Sequence, residues 1–187
     1  MESQSIDEQL RRTFFDALGE LLSPVEISSL IDAEGRQPYA CRQISACLDA
    51  LVARYRPSLG RGLAMRAGRV AFKYGLRYLE PLEELKTLSY RLMPAMAKIR
   101  RSLSIFSNIF SPRLIESISI DERDDRFIWR NSVGSECLPG RIAWIHGFIQ
   151  EGLYWVSNGK FYLIEEVIEE EAERRECLLL IPKKALE

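Results

Sequence analysis

The sequence predicts an α+β domain in which helices pack on one antiparallel sheet of about four strands. Apolar residues recur at three and four positions through the first 110 residues, whereas alternation at two positions appears only after them. A helical stretch near residues 141–156 then separates two strand pairs. Because 187 residues form one domain with a real core, we expect a single domain with helices at 6–110 and a hairpin, helix and second hairpin at 113–182.

The N-terminal region is predicted to be helical throughout. A first helix has an apolar face from Ile6 to Leu21, and Ser23-Pro24-Val25-Glu26 is a capping box that begins a second helix. A third helix follows over residues 42–55. The fourth, over residues 59–79, is spaced by glycines and has a basic side. We interpret this side as a solvated face, and contact with an acidic partner or an anionic ligand is the alternative.

Residues 82–110 are predicted to form one more helical region, interrupted or kinked by Pro94. Its second half is rich in methionine, isoleucine and phenylalanine. Such flexible and aromatic side chains can adapt to an apolar guest, although a plain core or dimer face gives the same pattern.

Two hairpins and a helix are predicted for the C-terminal part. Residues 115–120 pair with 127–129 across a turn at 121–126. Apolar residues at helical spacing over 141–156 indicate an amphipathic helix, and Ser157-Asn158-Gly159 ends it with left-handed residues. A strand begins at Phe161, the acidic stretch 165–176 is interpreted as the solvated tip of a hairpin, and residues 177–181 return as the last strand.

Residues 141–181 also carry a family resemblance. Gly147 and Gly152 in the helix, Gly159 at the turn, Glu166 near the end of the strand and Cys177 eleven residues later resemble the C-terminal half of the 4-vinyl-reductase domain. Residues 60–79 resemble the glycine-punctuated helix of that family. The resemblance implies a fold similar to the core subunits of the TRAPP vesicle-tethering complex, a homodimer joined by its long helices, and the small-molecule-sensing role of bacterial regulators.

The same resemblance bears on metal binding. Zinc-binding members of the family use four ligands whose positions here are Ile142, Glu166, Glu169 and Cys177. Ile142 cannot bind zinc, and Cys137 lies in a separate loop, so Glu166, Glu169 and Cys177 are only weak candidates. We therefore expect no metal and no cofactor, with Cys177 acting as a small buried hydrophobic residue.

Composition limits the classes of partner. Hydrophobic residues make up 47% of the chain and charged residues 28%, with a net charge of −1, so the chain is an ordinary globular protein and nucleic acid is not an expected partner. No N-terminal secretory pattern appears, and no stretch approaches about 18 uninterrupted apolar residues. We expect a cytoplasmic protein without a membrane span.

Catalytic chemistry has little support in the sequence. His146 is the only histidine, so no relay with a second histidine can be built. A general base, an axial heme ligand and a hydrogen-bonded structural histidine are the readings open to it, and the structural one is favoured. No glycine-rich phosphate loop is present. We expect a protein that is not an enzyme.

Bulky aromatic residues are concentrated in the second half of the chain. Together they would bury more surface than a small core needs, and the surplus indicates a ligand pocket or a protein interface. The leading hypothesis is a sensor that binds a hydrophobic or aromatic small molecule, with His146 or Arg130 orienting one polar atom and a separate protein receiving the signal. The candidate lining residues are Phe106, Phe110, Trp129, Trp144, His146 and Phe148. The alternatives are a TRAPP-like assembly protein without ligand and an accessory factor of tetrapyrrole or bacteriochlorophyll metabolism.

Overall fold

A computed structural model describes residues 5–34, 40–111, 113–132, 139–171 and 174–186. In chain order they form α1 (Ile6–Gly19), α2 (Pro24–Glu34), α3 (Ala40–Arg54), α4 (Pro57–Tyr78), a 3-10 helix (Glu80–Lys86), α5 (Leu88–Arg91), α6 (Ala95–Phe110), β1 (Ser117–Glu122), β2 (Arg126–Ser132), α7 (Pro139–Val156), β3 (Glu165–Glu171) and β4 (Arg174–Pro182). The predicted α+β class with one four-stranded antiparallel sheet is confirmed.

The chain divides into two compact units. The first consists of Met1–Leu82 with Pro139–Phe148, and the second of Glu83–Leu138 with Ile149–Glu187. Helix α7 begins in the first unit and ends in the second. That the whole chain folds as one domain stays a prediction.

Local hydrogen bonds begin the first two helices where the sequence predicts. The N–H of Glu8 donates to the Ser5 side chain at the start of α1. At α2 the Glu26 carboxylate accepts from the backbone N–H of Ser23 at 2.8 Å, and the Ser23 hydroxyl lies 3.4 Å from the Glu26 nitrogen. This reciprocal pair confirms the predicted capping box.

Helices α4 and α7 make direct backbone contact in the first unit. A Cβ atom placed on Gly68 would lie 2.0 Å from the carbonyl oxygen of Trp144, and one placed on Gly147 would lie 1.9 Å from that of Met65. Real Cβ atoms do not approach oxygen so closely. Both glycines are therefore required by the close helix crossing, which explains why α4 tolerates the helix-weakening Gly68.

Helix α7 is not amphipathic, contrary to the prediction. Residues 142–150 are all buried, including the polar His146 and Gln150. The prediction was wrong because a fully buried helix also has apolar residues at helical spacing. An amphipathic helix differs from it only in the residues between those positions, which are polar or charged. Over residues 142–150 those residues are small, aromatic or uncharged, so this part of the helix is buried on every side, whereas Tyr154 and Trp155 near its end are exposed.

The region predicted as one helix interrupted at Pro94 is instead a 3-10 helix, the single turn of α5 and the helix α6. Pro94 is the N-cap residue of α6, with φ −57° and ψ 150°, so it starts a helix and does not kink one. Thr87 caps α5 by accepting from the N–H of Tyr90. These short elements place Lys86, Arg91 and Lys98 close together in the second unit.

The sheet of the second unit has the order β1-β2-β4-β3, with every neighbouring pair antiparallel. The two predicted hairpins are present, and β4 joins them by pairing with β2. Phe127, Trp129, Cys177, Leu179 and Ile181 are fully buried on one face. Helix α6 contacts β1, so helix and sheet share the core of this unit.

Both hairpins differ from the prediction in their limits. The first turn is shorter, because β1 continues to Glu122 and β2 begins at Arg126. In the second hairpin, residues 160–164 are irregular and β3 starts only at Glu165. Residues 165–171 and 174–176 of the acidic stretch therefore lie in the paired strands β3 and β4. Residues 172 and 173 lie outside the described residues. Strand propensity could not predict that the glutamates of β3 form a strand, because glutamate is depleted in strands. Charged residues are nevertheless common on an edge strand such as β3.

The turn after α7 is as predicted. Asn158 has φ +58° and Gly159 has φ +87°, and the N–H of Gly159 donates to the carbonyl of Tyr154 at 2.8 Å. These left-handed residues end the helix.

Replacing Gly147 with alanine should lower the free energy of unfolding by about 1 to 3 kcal/mol, because the new methyl group would meet the Met65 carbonyl of a packed helix. Urea denaturation of the full chain measures the change. Gly62→Ala is the matched control, since Gly62 lies on α4 with nothing within 4 Å of its Cβ position; it should leave stability equal or raise it by up to about 1 kcal/mol. Equal stabilities for the two variants would contradict the tight crossing.

Candidate functional site

All six residues predicted to line a ligand site are buried. Trp144 and Phe148 are completely buried in the first unit, and His146 is 6% exposed there. Phe106, Phe110 and Trp129 are completely buried in the second unit. That they line one site stays a prediction.

The structure brings Trp144 and Phe148 together, as their spacing of four predicts. Their ring centroids are 6.0 Å apart. Phe14 from α1 approaches Trp144 edge to face at 5.7 Å, and Phe72 from α4 approaches Phe148 at 5.3 Å. These four rings fill the core of the first unit in the tilted and edge-to-face arrangements that aromatic pairs prefer.

His146 lies beside the α4 crossing. Its Nδ1 atom is buried and has no hydrogen-bond partner among the described residues. Burial first, and then the positive charges of Arg69 and Arg61, lower its pKa from 6.5 to about 4. An imidazole with so low a pKa is a weak base, which argues against a role in proton transfer at neutral pH. The hydrogen bond expected of a structural histidine is not made by Nδ1 within the described residues.

Trp129 is held by a hydrogen-bonded chain across the sheet of the second unit. Its indole N–H donates to the side-chain oxygen of Asn131 at 2.8 Å, and the Asn131 amide donates to the carbonyl of Cys177 at 3.0 Å. Because each buried polar atom of this chain has a partner, Trp129 is fixed in one orientation.

The weak metal candidates do not form a site. The Cys177 thiol lies 3.8 Å from the Glu166 carboxylate, but Glu169 is three residues further along β3 and so lies on the opposite face of the strand. Among the residues that the structure describes, no three histidine, cysteine, aspartate or glutamate side chains are grouped as metal ligands. Cys137 lies outside the described residues.

Arg130 is engaged by carboxylates on the face of the sheet opposite Trp129. Its guanidinium lies 2.9 Å from Asp121, 3.5 Å from Glu169 and 3.6 Å from Glu176. These contacts raise its pKa, the hydrogen bond to Asp121 contributing most. With three acidic neighbours, Arg130 is poorly suited to orient a ligand atom.

The sequence did not predict a cavity of about 530 Å3 in the second unit. It is lined by Leu85, Lys86, Tyr90, Arg91, Lys98, Trp155, Val156 and Asn158. Three of these side chains are cationic, and none is acidic. A sequence signal was present, because residues 86–101 contain five basic residues and no acidic one, but Trp155 and Asn158 come from a distant segment that only the fold brings near.

Within the described residues, no helix is both long enough and apolar enough to cross a lipid bilayer.

Comparison with known proteins finds similarity in structure only. No family model matches the sequence, and no curated protein matches it. Among solved structures, an oxygen-binding H-NOX domain related to soluble guanylate cyclases is 12% identical, with a TM-score of 0.53 over 99% of this chain and 96% of that one. A variant H-NOX domain of T. tengcongensis is 11% identical, with a TM-score of 0.59 over 94% and 97% of the two chains.

A third structure, from work on heme distortion in the H-NOX family, is 13% identical, with a TM-score of 0.53 over 100% of this chain and 97% of that one. The chain has the H-NOX fold. At such low identity the likeness concerns the fold alone and carries over no ligand.

The predicted membership of the 4-vinyl-reductase family is wrong, because the similar structures are H-NOX domains and not members of that family or of the TRAPP complex. The resemblance depended largely on glycine spacing. Gly147 is explained by the contact with Met65 and Gly159 by its left-handed backbone. Both are physical requirements of helix packing and turns, which many unrelated families share.

His146 should make the protein sensitive to acid. Below about pH 6.5 the imidazole of His146 is protonated in the unfolded chain, whereas in the folded protein it stays unprotonated down to about pH 4. The free energy of unfolding should therefore fall as the pH is lowered from 6.5 to 4. Relative to His146→Gln, the wild-type protein should lose roughly 2 to 3 kcal/mol more between pH 7 and pH 4. Urea denaturation at several pH values measures this. Carboxylates titrate in both proteins, so parallel curves would contradict the buried neutral histidine.

Proposed function

We propose that this chain is a non-enzymatic module that binds a small molecule, and that it does so without heme held by His146. The observation that supports binding is the fold, which extends over more than nine-tenths of this chain and of an oxygen-binding H-NOX domain. One similar structure is the oxygen complex of an H-NOX domain, and another comes from work on heme distortion in that family. Heme is therefore the first ligand to test against the residues present here.

Heme iron requires an axial ligand, most often histidine, and His146 is the only histidine in the sequence. Histidines that bind metal almost always donate their other ring N–H to a carboxylate, a carbonyl or water. The Nδ1 atom of His146 has no such acceptor among the described residues, and the charged groups that act on it, Arg61 and Arg69, are both cationic.

Space beside His146 is also limited. The next residue, Gly147, lies so close to the Met65 carbonyl that not even a methyl group fits between α7 and α4. A porphyrin is far larger and requires a slot between its flanking elements. The side of α7 that faces α4 therefore has no room for heme, and the missing acceptor for Nδ1 argues against His146 as a heme ligand.

The ligand class that the sequence predicts, an aromatic or hydrophobic small molecule, is retained in this proposal. The lining predicted from Phe106, Phe110, Trp129, Trp144, His146 and Phe148 is less well supported. Trp144 and Phe148 already have ring partners in the core of the first unit, and a guest there would have to displace them.

A sensor also needs a way to pass on its signal. We propose that the protein is a homodimer and that a separate protein partner receives its signal. Light scattering of the purified protein tests whether it is a dimer. Exposed apolar residues are available for contacts, including Leu88 at 71% and Leu92 at 75% exposure on neighbouring turns.

Native mass spectrometry of the freshly purified full chain, followed by mass analysis after denaturation, tests the function. We expect a small organic molecule that dissociates on unfolding, and no Soret absorption band. Addition of hemin should give the same weak, nonspecific spectrum with the wild-type protein and with His146→Ala. A stoichiometric heme whose spectrum changes in His146→Ala would contradict the proposal about heme. A protein that retains no molecule, and binds none on titration, would contradict ligand binding itself.

A further inference from the structure

The cavity of the second unit has the volume of a small-molecule site. Its volume of about 530 Å3 falls within the usual range for ligand pockets of roughly 300 to 1,000 Å3. The 3-10 helix contributes Leu85 and Lys86, α5 contributes Tyr90 and Arg91, α6 contributes Lys98, and the end of α7 with its turn contributes Trp155, Val156 and Asn158. Four separate elements thus converge on one concavity.

The charge of the lining is one-sided. Lys86, Arg91 and Lys98 are cationic, and no carboxylate lines the cavity. Lys86 forms an exposed ion pair with Glu83, whereas the side chains of Arg91 and Lys98 make no ion pair with any described residue. A concave surface with charges of one sign concentrates its electric field and attracts counter-ions.

Two other basic residues of α6, Arg100 and Arg101, form ion pairs, unlike Lys98. Arg100 donates two hydrogen bonds to Glu122 at 2.7 and 2.8 Å, and Arg101 donates two to Glu84 at 2.6 and 2.7 Å. Both arginines are therefore neutralised by carboxylates outside the cavity lining. Lys98, two and three residues earlier, lines the cavity and makes no ion pair with a described residue, so of these three cations on α6 it is the one without a carboxylate.

An aromatic surface lies beside the cations. Trp155 is 42% exposed although it is a large aromatic residue, and it lines the cavity together with the buried Leu85 and Val156. Tyr90 closes one side, since its hydroxyl is engaged by Ser102 at 2.5 Å and by the Lys98 carbonyl at 3.1 Å. An exposed indole can stack on the flat face of a planar ring, and such stacking contributes about 1 to 3 kcal/mol for a nucleobase.

We propose that this cavity binds a small organic phosphate that carries a planar ring, in the manner of a mononucleotide. The phosphate would be held by Lys86, Arg91 and Lys98. Its charge of about −1.5 to −2 at neutral pH matches several cations, whereas a carboxylate on the ligand would carry a charge of only about −1. Trp155 would stack on the ring, and the Asn158 amide at the rim is placed to hydrogen-bond to the ring edge or the sugar. The inference rests on the proposed function: a nucleotide has the aromatic ring of the ligand class retained there, and the cations of this cavity add an anionic phosphate to that class.

Isothermal titration calorimetry of the full chain tests this with AMP, GMP, UMP and FMN as probes. Adenosine lacks the phosphate and inorganic phosphate lacks the ring, so each should bind at least about tenfold more weakly than the best nucleotide. The affinity of that nucleotide should fall as sodium chloride is raised, because salt screens the cations.

Variants separate the two parts of the site. Lys98→Gln and Arg91→Gln should each weaken binding of the best nucleotide roughly tenfold, and Trp155→Leu should remove the preference for the nucleotide over inorganic phosphate. Arg66→Gln is the matched control, since it removes an exposed arginine of the first unit that does not line the cavity; it should change nothing. Circular dichroism confirms that each variant is folded.

The inference is overturned if none of the four nucleotides binds, if inorganic phosphate binds as tightly as they do, or if Lys98→Gln and Arg91→Gln bind like the wild-type protein. Its failure can be told apart from failure of the proposed function. A protein that carries an uncharged molecule and ignores nucleotides still satisfies the proposed function, whereas a protein that binds no molecule at all fails both.

Discussion

The first unit depends on the contact between α4 and α7, where Gly68 and Gly147 leave no space between the two helix backbones. At this separation a side chain on either glycine would collide with a carbonyl oxygen of the other helix. The larger residues therefore project to the sides of the crossing. Trp144 and Phe148 meet Phe14 from α1 and Phe72 from α4 there, so one close contact organises the aromatic core of the unit.

The same contact decides what His146 can do. A histidine on the surface of a helix could bind a metal or transfer a proton, but here it is enclosed beside Gly147 and held neutral by burial and by the charges of Arg61 and Arg69. Sharing the H-NOX fold does not change that local chemistry, because a fold supplies a scaffold and the site residues supply the function. The chain shares its scaffold with proteins described with heme, whereas its own histidine is buried, has a lowered pKa and has no acceptor for Nδ1 among the described residues.

How well the sequence predicted each element depended on how local its cause is. The Ser23–Glu26 capping box and the Asn158-Gly159 turn were correct, because a few adjacent residues determine them. The character of α7 was wrong, since burial on all sides comes from neighbours that are distant in sequence. The start of β3 was misplaced for a similar reason: Glu165 and Glu166 enter a strand because β4 pairs with them, against their own preference.

The candidate site shows the same limit in its charges. The stretch from Lys86 to Arg101 contains five basic residues and no acidic one. Nothing in its composition distinguishes a basic residue that pairs with a carboxylate from one that does not. Tertiary structure makes the distinction: Glu122 and Glu84, from outside the stretch, neutralise Arg100 and Arg101, and their own pKa values fall as a result, that of Glu122 to about 2. Arg91 and Lys98 remain beside a cavity and next to Trp155. Their positive charge therefore lies beside a concavity that an anionic ligand could enter.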